Sequence, residues 1–208
     1  MHIEFLIEEL SAETALGNLL PKILGNDISF EIHTFQCKSD LLNNLPQRMK
    51  GYARWIPEDY RIVVLLDEDR SDCIALKESL EKAAIDAGLA TKTSSSTSGI
   101  SKYQVMNRIA VEELEAWFFG DPSAIHSAYP RIPATIGTKS MYRDPDAIRG
   151  GTWEALERVL KRAGYFQSGL RKIEASKAIS SYMDPGKNTS KSFQIFRNGL
   201  QEMVRWGV

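Results

Sequence analysis

The run Arg61-Ile62-Val63-Val64-Leu65-Leu66 constrains the fold more than any other stretch of the chain. Five successive aliphatic residues leave no polar face, so a strand here must be covered on both sides, as the central strands of parallel sheets are. The run stops abruptly at Asp67-Glu68-Asp69-Arg70. A helix is predicted next, capped by Ser71 or Asp72 and running to about Ala87, with Gly88 at its end. Strand, acidic turn and helix in succession are the unit of an α/β fold.

The flanking sequence repeats that alternation. His2 to Ile7 is a short apolar-rich run, and Ser11 can cap a helix to about Leu24 whose apolar positions Ala15, Leu16, Leu19, Leu20 and Ile23 recur at helical spacing. Ile28 to Phe35 alternates with period two, predicting a strand buried on one face, and a helix is expected after Asp40. Residues 91–102 are polar and low in complexity, which predicts a mobile loop. Tyr103 to Ala110 reads as a strand and Val111 to Phe119 as a helix stopped by Gly120-Asp121-Pro122. Beyond it the pattern is helical over Thr152–Ala163, Gly169–Tyr182 and Ser190–Trp206. The expected architecture is an α/β core over residues 1–120, a mainly parallel sheet of about four strands flanked by helices. A helical extension over 121–208 packs on it to make a single structural unit.

Composition narrows the class. Hydrophobic residues at 43% and charged residues at 25% are ordinary globular values. No run approaches the roughly 18 apolar residues of a membrane span, and the strand-like opening lacks a signal peptide's basic start, so a cytoplasmic protein without a membrane partner is expected. Cys37 and Cys73 have no metal-ligand spacing and read as reduced thiols. His33 and His126 lack neighbouring His or Cys and read as surface or internally satisfied histidines. Glycine-rich phosphate loops and a GxSxG elbow are absent. Trp117, Phe118, Trp153, Phe193 and Phe196 recur on apolar helix faces and are assigned to the core.

Charge is split along the chain. Residues 1–128 hold 12 basic and 20 acidic residues, net −8, and residues 129–208 hold 14 and 7, net +7. A basic half attracts polyanions, and an acidic pocket attracts the cations that bridge to them. The bland alternative is two solvated faces.

The acids fall where strands end: Glu8 and Glu9 after the first, Asp67 and Asp69 after the third, Glu112, Glu113 and Glu115 after the last. Ligands of parallel sheets bind at those carboxyl ends. In extended backbone Asp67 and Asp69 share a side, and carboxylates packed that closely need a cation or a raised pKa to relieve their repulsion. Each cluster alone could merely cap a helix; Glu13, in the first turn of its helix, is better read that way.

Phe5-Leu6-Ile7-Glu8-Glu9-Leu10-Ser11-Ala12-Glu13, Val63 to Asp69 and Glu113-Leu114-Glu115-Ala116-Trp117-Phe118 resemble motifs of the Toprim superfamily, and specifically of its bacterial domain-of-unknown-function 4276 family. The resemblance continues through Arg143-Asp144-Pro145-Asp146, Gly150 to Glu154 and Ser190 to Phe193. It implies a Toprim-like fold, related to overcoming-lysogenization-defect nucleases, that holds Mg²⁺ or Mn²⁺ for phosphodiester chemistry. It further implies a nuclease in antiphage or plasmid defence beside a partner ATPase. Glu8 matches the first-strand glutamate, Asp67 and Asp69 the Asp-x-Asp, and Glu115 the late acidic position. Where that family carries glycine after the glutamate this chain has Glu9, so the first-strand acid is Glu8 or Glu9.

The expected catalytic set is therefore Glu8, Asp67, Asp69 and Glu115, and the metal set Glu8, Glu9, Asp67, Asp69 and Glu112. Lys139, Arg143, Arg149, Arg171, Lys172 and Lys177 are candidates for contacting the backbone of DNA or RNA. A second reading keeps the scaffold without the activity: a latent effector or adaptor that acts only in complex with an ATPase. Homodimerisation is compatible with either.

Overall fold

In the computed structural model, residues 1–69, 71–98 and 102–205 are described. Strands β1 (His2–Ile7), β2 (Ser29–Thr34), β3 (Tyr60–Asp67) and β4 (Val105–Ala110) form one parallel sheet in the order β2-β1-β3-β4, flanked by helices. The register sets Glu4 of β1 beside Glu31 of β2 and Ile7 beside Leu65 of β3. The aliphatic run thus lies in an interior strand, as its two-sided hydrophobicity requires. The helices are α1 (Leu10–Leu24), α2 (Lys38–Trp55), α3 (Cys73–Asp86), α4 (Lys92–Ser98), α5 (Glu115–Phe119), α6 (Pro122–Ala128), α7 (Thr152–Arg162), α8 (Lys172–Tyr182) and α9 (Lys191–Arg205). Three 3₁₀ turns occupy Ala134–Thr138, Ser140–Tyr142 and Pro145–Ala147. Among the described residues no helix is long and apolar enough to cross a membrane.

The chain divides into two compact units assembled from non-contiguous segments. The first comprises Met1–Glu9, Leu24–Ile109 and Gly199–Val208. Its core joins Leu6 of β1 and Ile62, Val64 and Leu66 of β3 to Leu41, Leu45 and Met49 of α2 and Leu76 and Leu80 of α3. Asp72 starts α3 by accepting from the N–H groups of Ile74 and Ala75 at 2.8 and 3.2 Å, so the helix after the acidic turn begins at one of its two expected caps.

The second unit comprises Leu10–Ile23 and Ala110–Asn198. Trp117 is fully buried against Phe193 and Phe196, ring centroids 5.1 Å away in each case. Its indole N–H donates to Ser192 Oγ at 2.9 Å, which satisfies the one polar atom that burial would otherwise orphan. Asn188 donates to the Trp117 carbonyl, and a Cβ on Gly120 would stand 2.1 Å from Asn188 Oδ1, so only glycine fits there. Within this unit α1 is tied to α8. Ser176 donates to the Ser11 carbonyl, Asn18 to Ser180 Oγ, and Lys22 Nζ to the carbonyls of Ser180, Ser181 and Met183.

Several expected elements differ. Residues 91–102, expected as a mobile loop, contain α4. Thr91 Oγ1 accepts from the Ser94 N–H and Ser94 Oγ from the Thr91 N–H, a reciprocal cap that starts a helix in a low-complexity segment. Residues 99–101 lie outside the described residues, as do Arg70 and Trp206. The helix expected over Val111–Phe119 shrinks to α5, because Glu112 takes a left-handed backbone with φ +61°. The helix expected after Asp40 begins earlier, at Lys38.

Candidate functional site

β1 and β3 are neighbours and parallel, so their carboxyl ends deliver Glu8 and Asp67 to the same edge of the sheet. Glu8 is partly buried and accepts a hydrogen bond from the Asp67 backbone, while its Oε2 is buried without a partner. Burial is the largest influence on this carboxyl and raises its pKa. Lys38 opposes that effect, the charge of Asp69 adds to it, the Asp67 backbone bond lowers it, and Glu9 raises it again.

Asp69 reaches the cluster by another route than expected. β3 ends at Asp67, and Asp69 adopts φ +51°, so the alternation of an extended segment does not reach it. Aspartate tolerates that region better than most side chains. Ser71 N–H closes the turn onto the Glu68 carbonyl at 3.0 Å. Lys38, the first residue of α2, donates to Asp69 Oδ2 at 2.5 Å and to the Glu68 carbonyl at 3.0 Å. The acids thus come with a cation of the protein's own, which sequence reading could not place because it lies about thirty residues upstream.

Among the described residues the group whose ligand atoms all lie within 4.8 Å of one another is His2, Glu4 and Glu31. The strand-end set offers a divalent ion donors of suitable chemistry rather than a closed cage. Its groups are carboxylate oxygens, one of them buried and unsatisfied, and Mg²⁺ and Mn²⁺ take such ligands together with water and phosphate oxygens. Lys38 competes for the same charge.

The late acids belong to the second unit, and Glu113 and Glu115 have partners there. Glu113 Oε2 accepts from Thr152 Oγ1 at 2.9 Å and from Trp153 N–H at 2.8 Å, capping α7. Glu115 is buried, with Lys172 Nζ 3.9 Å from Oε1, and the same ammonium lies 5.3 Å from the Trp153 ring centre. Lys172, a candidate for phosphate contact, therefore faces an internal carboxylate. Arg171 pairs with Glu174 at 3.0 Å and packs on Phe166, whereas Lys139, Arg143, Arg149 and Lys177 are exposed. Counted over the structural units rather than sequence halves, the charge split is smaller. The first unit holds 12 basic and 16 acidic residues, net −4, and the second 14 and 11, net +3.

Sequence reading missed a further group. Glu4, only 6% exposed, has His2 Nε2 3.2 Å from Oε1 and His33 Nε2 2.5 Å from Oε2, and Tyr52 donates to Oε2 at 3.2 Å. Among the described residues, one ligand atom each from His2, Glu4 and Glu31 lies within 4.8 Å of the others, a candidate metal site. Burial and the Glu4 charge push the Tyr52 hydroxyl well above its usual pKa, so it remains a donor. The only trace in the sequence is the alternation His2-x-Glu4 and Glu31-x-His33, which acquires meaning once the strand register is known. His126, as expected, is internally satisfied, its Nδ1 2.7 Å from the Ile132 carbonyl.

The family model described as "Domain of unknown function (DUF4276)" matches residues 7–201. No curated protein sequence matches the chain. Among solved structures, the C-terminal region of the Xanthomonas campestris pv. campestris OLD protein is similar over 98% of this chain and 95% of that one, at 14% identity and a TM-score of 0.46.

Proposed function

We propose that this chain, which belongs to the DUF4276 family, is a Toprim-type phosphodiesterase that uses Mg²⁺ or Mn²⁺ to cleave nucleic acid at Glu8, Asp67 and Asp69. One observation carries the reading: Glu8 meets the Asp67 backbone and the field of Asp69 at the carboxyl edge of a parallel sheet, with a buried carboxylate oxygen left without a donor. The Toprim resemblance of the same residues supports it, and is the sole support for a role in antiphage or plasmid defence. A bound divalent ion would neutralise the scissile phosphate and acidify an attacking water. The chain's own contribution is to hold the carboxylates in register on neighbouring strands. Lys38 adds an ammonium beside the place where phosphate charge would arrive. Glu113 is engaged with the start of α7 and is assigned no part in proton transfer.

Purified protein incubated with plasmid, single-stranded DNA and total tRNA, with Mg²⁺, Mn²⁺ or EDTA, tests this directly. Cleavage is expected with metal, and is expected to vanish in EDTA and in Asp67→Asn. Cleavage in EDTA would overturn the metal mechanism.

The Lys38–Asp69 pair favours one alternative, a latent effector that acts only beside a partner ATPase, because the acidic cluster already has its counter-ion. A rise in melting temperature with Mn²⁺ but no cleavage of any substrate would select it. Specific binding at 100 times the dissociation constant contributes about 2.7 kcal/mol, enough to be read easily.

A further inference from the structure

We infer that His2, Glu4, Glu31 and His33 form a second metal site, separate from the strand-end acids and suited to a divalent transition-series ion such as Zn²⁺. The inference does not depend on the proposed phosphodiesterase activity. Its starting point is register: Glu4 of β1 and Glu31 of β2 are direct partners in the parallel sheet, so their side chains leave from the same face. Like charges in that position repel, and neighbouring strands tolerate them only if something intervenes. The histidines stand on the same face, His2 two residues before Glu4 and His33 two residues after Glu31. Two imidazoles and two carboxylates make a mixed nitrogen and oxygen set. Zn²⁺ accepts such ligands, whereas Mg²⁺ prefers oxygen alone.

The distances allow it. Tetrahedral Zn²⁺ with bonds of about 2.0–2.2 Å needs ligand atoms roughly 3.3–3.6 Å apart. His2 Nε2 and Glu4 Oε1 are 3.2 Å apart, and one atom each from His2, Glu4 and Glu31 lies within 4.8 Å of the others. His33 Nε2, 2.5 Å from Glu4 Oε2, stands outside that group of three and would complete the set by turning its ring towards the ion. Second-shell partners are present: His2 Nδ1 is 2.8 Å from Ser29 Oγ, which fixes the ring with Nε2 towards Glu4, and Tyr52 donates to Glu4. A cavity of about 340 Å³ bounded by Glu4, Glu31, His33, Arg48, Tyr52 and Trp55 gives an ion and its water access. With neutral imidazoles the charged groups there are two carboxylates and one guanidinium, net −1, so a cation is favoured over an anion. The rival is a network of hydrogen bonds alone, a protonated histidine supplying the charge.

Untagged full-length protein carrying Asp67→Asn and Asp69→Asn, so that the strand-end acids cannot respond, is titrated with Zn²⁺ by calorimetry and with Co²⁺ by visible absorption. One equivalent is expected to bind, with a Co²⁺ d–d band of low-coordinate type. Glu31→Gln, at an exposed position where folding should be untouched, is expected to weaken Zn²⁺ binding at least tenfold, as is His33→Asn. Both should remove the Co²⁺ band. Absence of stoichiometric Zn²⁺ binding overturns the site. So does binding that Glu31→Gln and His33→Asn leave unchanged, their folding verified by circular dichroism.

Discussion

Three acids of the second unit and two of the first are spent differently. In the second unit Asp146 accepts from Ser190 Oγ, Lys191 N–H, Ser192 N–H and Ser192 Oγ, Asp121 from the N–H groups of Ala124 and Asp184, and Glu113 from Thr152 and Trp153. Those acids hold helix starts and turns together. In the first unit Glu8 has an oxygen without a donor and Asp69 faces an ammonium across an exposed turn. The lesson is that a strand-end acid is informative only after its donors have been counted. Saturation by backbone N–H groups marks a structural part, and a shortage at a strand end marks a candidate to be tested for a ligand.

The comparison is sharpened most by removing charge where donors are scarce. Asp67→Asn with Asp69→Asn should lower metal-dependent cleavage by at least about 100-fold, since even outer-shell changes at metal sites cost 10–100-fold. Its melting temperature without metal should be unchanged or higher. A large loss of stability in metal-free buffer would break the comparison. Next in size is Asp146→Ala, which strips four acceptor contacts from the start of α9. It should lower unfolding free energy by about 3 kcal/mol in urea, a charged acceptor's hydrogen bonds and a helix cap combined, with metal binding intact.

The smallest effect is the most pointed. Glu8 has its pKa raised in the fold, so protonation favours the native state; that stability is complete at low pH and lost as pH rises through the folded pKa. Glu8→Gln mimics the protonated form. Its melting temperature should match wild type below the ordinary carboxylate pKa of about 4.3 and exceed it by a growing margin as pH rises, in EDTA. A variant less stable than wild type at pH 7 would mean that the Glu8 charge is already satisfied.

What the sequence discloses depends on the range of the forces involved. β3 was legible because two-sided burial leaves an unbroken aliphatic run, and Asp72 because a cap acts over three residues. The four-stranded parallel sheet follows from the alternation of such signals. α4 was illegible, since Thr91 and Ser94 resemble loop residues until their reciprocal hydrogen bonds form. The left-handed turns at Asp69 and Glu112 were equally hidden, because neither residue is the glycine that usually announces one. Strand ends located Glu8 and Asp67, but Lys38 and the His2, Glu4, Glu31 and His33 group needed contacts or register between segments some thirty residues apart.

The bonds from α1 to α8 bear on how the chain is made. Asn18 and Lys22 find their acceptors between 158 and 162 residues later in the sequence. During synthesis α1 therefore leaves the ribosome long before its acceptors exist, with Leu16, Leu19 and Leu20 awaiting burial. Such late pairing slows folding and invites chaperone capture of the nascent chain. The second unit closes only when α8 arrives, so a ribosome stalled before residue 172 should release a product in which that unit stays open.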